Sequence, residues 1–96
     1  MSLPAAYADH LRRDRRRSVH TVRAYQASAE RLVAFLQGHW GRAVDAAALA
    51  TLTTADLRAY LAMRRGEGLG NASAARELSA IRGFLNFVGA PPPAMK

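Results

Sequence analysis

Five arginines stand among the six residues from Arg12 to Arg17, and Ser18 follows them directly. Ser is a preferred N-cap residue, because its hydroxyl accepts a hydrogen bond from the free backbone N–H groups at a helix start. Those N–H groups and the helix dipole also favour anions. The sequence therefore predicts a phosphate-binding surface here, and nucleic acid is the first partner to consider.

The whole chain carries an excess of positive charge. Its 96 residues include 14 Lys or Arg against 7 Asp or Glu, a formal net charge of +7. This excess favours an anionic partner: nucleic acid first, an acidic protein or an anionic membrane surface second. Within the cluster, Arg16 and Arg17 are candidate phosphate contacts, and a solvated helix end is the equally weighted alternative. Asp14 is expected to pair with a neighbouring arginine.

Other kinds of site find little support. The chain has no cysteine, which excludes disulfides and thiolate metal sites. Its histidines, His10, His20 and His39, lack the spacing of metal ligands. No nucleophile–base pair or carboxylate pair is placed for catalysis, so neither an enzymatic activity of this chain nor a cofactor is predicted. No stretch is apolar enough to cross a bilayer, and we expect a cytoplasmic protein.

The elements that must position these residues are helices. Hydrophobic residues make up 50% of the chain, many of them alanine, and alternating β-branched runs are nearly absent. We therefore predict an all-α fold, a compact bundle of four to five helices formed by residues 1–89. Residues 90–96, with three consecutive prolines, are predicted to begin an interdomain linker. The predicted helices begin at Pro4, Ser18, Asp45, Thr53 or Thr54, and Asn71 or Ala72.

The second helix is predicted to run to about Gln37 and the last one to Val88. On a helical wheel, Arg23 and Arg76 lie opposite the apolar faces of these two helices, which makes them the best single candidates for binding. The last helix has an inward face and an opposite face of small residues that allows close approach of a helix or a DNA groove. The inward face is Ala74, Leu78, Ile81, Leu85 and Val88, and the opposite face is Ala72, Arg76, Ser79, Ala80 and Gly83.

Several side chains are predicted to have structural roles. Glu77 is expected to pair with an arginine of another helix, and Arg82 to bridge to Glu30 or Asp56. Phe87 points away from its own core stripe, either to cover the first helix or to contact another domain or protomer. The tyrosines are expected to be structural: Tyr7, Tyr25 and Tyr60.

Three phrases in register resemble a known family. They are Ser18-x-x-Thr21-x-x-x-Tyr25, then Leu52-Thr53-x-x-Asp56-Leu57-x-x-Tyr60-Leu61, then Arg76-x-Leu78-Ser79-Ala80-Ile81-Arg82-x-Phe84. Their order and spacing are similar to the N-terminal, SAM-like core-binding domain of tyrosine recombinases, the phage-integrase family, and most similar to the bacterial XerC/XerD type. The resemblance covers about residues 5 to 89.

The resemblance implies a fold of two crossed helical hairpins that forms one arm of a clamp around a DNA half-site. It implies that the catalytic residues lie in a separate C-terminal domain that cleaves and rejoins strands, in chromosome dimer resolution or DNA integration. Partner recombinase protomers are then expected, with the isolated domain monomeric. The implied DNA contacts are Ser18, His20, Thr21 and Arg23 from the second helix, with Ala24, and Asn71, Ser73, Arg76 and Ser79 from the last, with Ala72 and Ala80.

Two other classes compete with this reading. A helical protein–protein interaction domain of SAM-like fold requires an exposed apolar patch. The recombinase interpretation, by contrast, requires a single concave surface that holds Arg23, Arg76 and part of the Arg12–Arg17 cluster. A helix-turn-helix repressor fits worst, because no pair of short helices joined by a tight turn is evident.

Overall fold

A computed structural model describes residues 1–14, 16–90 and 92–93. Within these ranges the chain forms helices and no strand, which confirms the all-α prediction. None of these helices is long and apolar enough to span a membrane. The five helices are α1 (Leu3–Arg12), α2 (Val19–Trp40), α3 (Ala46–Leu49), α4 (Thr54–Gly66) and α5 (Asn71–Phe87).

Side-chain caps fix most of the helix starts. The Ser18 hydroxyl caps α2, and the Asp45 carboxylate caps α3 by accepting from the Ala48 N–H at 2.7 Å. Thr53 and Asp56 form a reciprocal capping box at the start of α4. The caps Ser18 and Asp45 were predicted, and Thr53 was one of two alternatives with Thr54, because Ser, Thr and Asp side chains satisfy N–H groups that a helix start leaves free.

The end of α2 differs from the prediction. The helix continues through Gly38 and ends at Gly41, which has φ 67 and is the C-cap in the left-handed region. Glycine inside a helix costs only about 1 kcal/mol, so Gly38 does not interrupt α2. The positive φ at Gly41, which glycine adopts readily, is what stops it.

The core is built around α2 and α5. Helix α2 contacts α1 and α5, and α5 also contacts α1 and α4. Aliphatic side chains and three aromatic rings, those of Tyr7, Tyr60 and Phe84, fill the interior, as the helical periodicity predicts. The largest fully buried side chains are Tyr60, Phe84, Leu32, Leu36, Leu49, Leu57, Ile81 and Leu85.

The small-residue face of α5 is only partly a free surface. Ala80 was predicted to face outward and to contact DNA, but it is only 1% exposed. The Tyr7 hydroxyl of α1 donates to the Ala80 carbonyl at 3.3 Å and lies against Gly83. A neighbouring helix therefore covers this part of the face. Leu78 and Val88, predicted as core residues, are only half-buried, while Glu77 and Phe84 are buried.

The C-terminal end of α5 packs back onto the domain. The centre of the Phe87 ring lies 5.0 Å from that of His10 and 5.6 Å from that of Tyr7. Of the two alternatives predicted for Phe87, the one in which it covers α1 is therefore confirmed. Ala90 is buried, and its N–H donates to the Leu85 carbonyl at 2.9 Å. The linker remains a prediction, since Pro91 and residues 94–96 lie outside the described residues.

Candidate nucleic-acid interface

A cleft of about 720 Å³ lies between α2 and α5, with Arg64 and Leu69 also in its lining; we call it the α2–α5 cleft. Two stretches of sequence about fifty residues apart supply its walls. Seven of the thirteen predicted contact residues line it: His20, Thr21 and Ala24 from α2, and Ser73, Arg76, Ser79 and the largely buried Ala80 from α5.

The start of α2 is held by its own side chains. The Ser18 hydroxyl accepts from the Thr21 N–H at 3.0 Å and lies 3.0 Å from the Thr21 hydroxyl. Both hydroxyls therefore take part in the cap. This cap fixes the first turn of α2, which carries His20 at the mouth of the cleft. Ser18 itself does not line the cleft.

Arg23 lies elsewhere. It lines a second cavity of about 230 Å³ together with Arg12 and Arg17. This cavity shares no lining residue with the α2–α5 cleft, so Arg23 and Arg76 line different cavities, and neither of the two cavities is the single concave surface expected to hold both arginines. Asn71 and Arg16 are exposed and line neither of the two.

Carboxylates partly neutralise the arginine cluster. Asp14 accepts from the backbone N–H and side chain of Arg16 at 3.1 and 3.2 Å, and lies 3.6 Å from Arg17. The Arg16 backbone N–H, with help from both guanidinium groups, lowers the pKa of Asp14 below its ordinary value. The expected pairing of Asp14 is confirmed. Arg15 lies outside the described residues.

Arg17 has a second contact, with Tyr25. Its guanidinium carbon lies 5.5 Å from the centre of the Tyr25 ring, within the range of a cation–π interaction. The contact gives the half-buried Tyr25 a structural role, as predicted.

A buried carboxylate lies in the lining of the α2–α5 cleft. The Glu77 side chain is only 4% exposed, and two other helices, α2 and α4, supply its partners. Arg31 of α2 lies 3.2 Å from one carboxylate oxygen and Arg64 of α4 lies 3.1 Å from the other. The Tyr60 hydroxyl of α4 also donates to Glu77. The expected pairing of Glu77 with an arginine of another helix is confirmed, with two arginines.

This network decides the ionisation of its members. Burial alone would raise the pKa of Glu77, but hydrogen bonds from Tyr60, Arg64 and Arg31 outweigh it and hold that pKa below its ordinary value. Burial, reinforced by the Glu77 carboxylate, raises the pKa of Tyr60. Glu77 is therefore a carboxylate and Tyr60 a neutral phenol at neutral pH.

The predicted bridge from Arg82 is not formed among the described residues. Asp56 instead accepts from the Thr53 N–H at 2.9 Å and lies 3.1 Å from the His39 ring nitrogen. Arg82 is exposed, and the contacts described for it and for Glu30 include no ion pair between them. The capping box therefore occupies the carboxylate that Arg82 was expected to reach.

Sequence reasoning missed Ser28 and Arg31 as residues of the cleft. The Arg31 guanidinium donates to the Ser28 hydroxyl at 3.2 Å, and on α5 Arg76 donates to the Ser73 hydroxyl at the same distance. Each pair has an i, i+3 spacing, which places both side chains on one helix face. The repeated Ser-x-x-Arg spacing was the available signal.

Comparison with known proteins identifies the family. The model of the phage integrase N-terminal SAM-like domain matches residues 5–90. The chain belongs to this family. No solved structure matches the chain significantly.

Relatives of this SAM-like domain include tyrosine recombinases XerC. The chain is 41% identical over 78 residues to the XerC of Mesorhizobium japonicum, covering 81% of the chain and 25% of that protein. It is 41% identical over 84 residues to the XerC of Methylobacterium nodulans, covering 88% of the chain and 26% of that protein. The chain thus spans about a quarter of the length of these relatives.

Proposed function

We propose that this chain is the DNA-binding module of a site-specific tyrosine recombinase of the XerC/XerD type. It clamps one recombination half-site of double-stranded DNA, and α2 and α5 meet the major groove. The proposed contact residues are those predicted from the sequence, apart from the buried Ala80, and the polar and charged ones that line the α2–α5 cleft are at the centre: His20, Thr21, Ser73, Arg76 and Ser79.

One observation carries the proposal. The α2–α5 cleft brings together polar and basic residues in or beside the first and the third of the three phrases that mark the family, although these phrases are far apart in sequence. Arg76 is exposed, and Ser73 holds its guanidinium at 3.2 Å. A guanidinium fixed in this way can bind guanine through two hydrogen bonds or hold a phosphate. Hydroxyls such as that of Ser79 add contacts to either.

The rest of the recombination reaction belongs to the parent protein. We propose that a separate C-terminal domain cleaves and rejoins the DNA strands. The parent protein is proposed to assemble with partner protomers and to act on the chromosome in the cytoplasm. The role is chromosome dimer resolution or DNA integration. The isolated domain is proposed to be monomeric and to have no catalytic activity of its own.

Exposed surface favours DNA over a protein partner. A protein-interaction module needs a contiguous apolar patch. Among the described residues, the exposed large hydrophobic side chains are Met1, Val19 and Phe87, and Phe87 already stacks on α1. The net charge of +7 instead favours a polyanion.

Titration of a labelled duplex at several salt concentrations tests the proposal. Binding is expected to be weak, with Kd on the order of 10⁻⁴–10⁻⁶ M, because one arm of the clamp acts alone. The logarithm of the binding constant should fall linearly with the logarithm of salt concentration. Binding that does not depend on salt, or no binding even at low salt, would refute the proposal.

A further inference from the structure

The guanidinium of Arg31 is held in a fixed position on the wall of the α2–α5 cleft. Its Nε donates to the Glu77 carboxylate and one Nη donates to the Ser28 hydroxyl, both at 3.2 Å. Ser28 and Glu77 are themselves buried, at 4% and 5% exposure. The two anchors therefore belong to the body of the domain, and the guanidinium cannot swing freely.

This anchoring leaves part of the guanidinium available. A guanidinium carries five N–H donors; the bonds to Ser28 and Glu77 use two of them, and an interaction with the Tyr60 hydroxyl uses at most one more. The Arg31 side chain remains 40% exposed and lines the cleft. A partly exposed cation with unused donors, already ordered before its ligand arrives, loses little entropy on binding an anion.

Arg64 provides the contrast within the same network. It binds two carboxylates, Glu77 and Glu67, each at 3.1 Å, and its side chain is only 17% exposed. Its charge is thus neutralised within the protein. Arg31 has a single carboxylate partner among the described residues, and it shares that partner with Arg64.

We propose that Arg31 binds a backbone phosphate of the DNA in the α2–α5 cleft, and that Glu77 is a positioning residue for it. The inference rests on the proposed DNA-binding function. A phosphate is the fitting ligand because the anchored guanidinium cannot extend to a base edge inside a groove, whereas phosphates project from the duplex surface and can enter the cleft. Such a contact adds affinity but carries no sequence information.

The matched variants Arg31→Ala and Arg64→Ala test the contact. Both remove one positive charge and one partner of Glu77, and Arg64→Ala also removes the partner of Glu67, so it disturbs the network at least as much as Arg31→Ala. Arg31→Ala should weaken binding about five- to tenfold near 0.1 M salt and lower the salt slope by about 0.9, the loss of one phosphate contact. Two duplexes of unrelated sequence should show the same loss. Arg64→Ala should change the affinity less than about twofold.

The outcomes separate the two proposals. If the unmodified chain shows no salt-dependent binding, the DNA-binding function itself fails. If it binds and Arg31→Ala loses no more affinity than Arg64→Ala, the Arg31 contact is refuted while DNA binding stands. A loss confined to one duplex would also refute a phosphate contact. Circular dichroism checks the fold, and Arg31→Lys, which keeps the charge, should recover the salt slope but only part of the affinity.

A double-mutant cycle tests the positioning role of Glu77. If Glu77 acts through Arg31, Glu77→Ala weakens DNA binding in the unmodified chain but has no further effect once Arg31 is Ala. A purely structural role predicts the same loss in both backgrounds, and that result would refute positioning. Glu77→Gln retains an oxygen acceptor for Arg31 and should restore the binding lost in Glu77→Ala.

Discussion

The hydroxyl oxygen of Tyr7 lies 2.5 Å from the point that a Cβ atom of Gly83 would occupy. Tyr7 is fixed there, since it is only 2% exposed and the centre of its ring lies 5.5 Å from that of Phe84 and 5.6 Å from that of Phe87. Burial, followed by the effect of nearby Tyr25, raises the pKa of Tyr7 to about 12, so its hydroxyl stays protonated and donates to Ala80. The absence of a side chain at Gly83 thus allows α1 to approach α5.

Gly83→Ala is therefore expected to destabilise the domain by roughly 1–2 kcal/mol, although alanine is the better helix former. Gly38→Ala is the matched control, because Gly38 also lies inside a helix but has no atom within 4 Å of its Cβ position. It should stabilise the domain by about 0.5–1 kcal/mol. Urea denaturation measures both changes. Equal effects of the two substitutions would contradict the steric argument, and Tyr7→Phe should relieve part of the Gly83→Ala loss.

The same contact marks how far sequence alone predicts this fold. Caps and apolar periodicity predicted the helices, because they depend on residues three or four positions apart. For Ala80 and Gly83 the sequence left two partners open, since a stripe of small residues suits a neighbouring helix, the commoner case, and also a DNA groove, which the family resemblance implied for Ala80. Only the placement of α1, which brings Tyr7 to α5 from far along the chain, separates the two.

For the candidate site, too, the sequence predicts features that depend on residues close together in one helix, and not those that depend on how helices pack. The helical wheel places Arg76 opposite the core face of α5, and in the structure Arg76 lines the α2–α5 cleft. The wheel cannot indicate that Arg23 lines another cavity, because that depends on how α1 packs on α2. Nor can it assign Arg31 and Arg64 to Glu77, since those pairs join three helices.

Stability should fall in acid partly through Glu77. Its pKa is held below the ordinary 4.5 in the folded state, so its stabilising contribution is fully present above about pH 4.5 and is lost as pH falls through the folded value. Glu77→Gln should therefore narrow the difference between unfolding free energies measured at about pH 6 and about pH 3. Glu67→Gln makes the same charge change on a side chain that is 56% exposed, so its unfolding free energy should fall between these two pH values as much as that of the unmodified domain. Equal narrowing in both variants would refute the assignment to Glu77.

Arg76 should matter more for DNA binding than other arginines near it. Arg76→Ala is expected to weaken binding about fivefold or more, the effect of losing a contact worth roughly 1–3 kcal/mol. Arg82→Ala is the control on the same helix, because Arg82 is exposed but does not line the cleft. Arg64→Ala should also have the smaller effect. If all three variants lose the same amount of DNA affinity in a titration at fixed salt, binding depends on total charge and the assigned DNA-binding face of α5 is wrong.

Asp14 should restrain DNA binding, because it holds Arg16 at 3.2 Å and lies 3.6 Å from Arg17. Asp14→Asn removes the carboxylate and frees both guanidinium groups, so affinity should rise at low salt and the salt slope should steepen. The gain should vanish at high salt, where exposed charges are screened. Asp45→Asn adds the same charge at the start of α3, where Asn caps as well as Asp, and should give a smaller gain. Equal gains would mean that only net charge matters and that the arginine cluster makes no contact of its own.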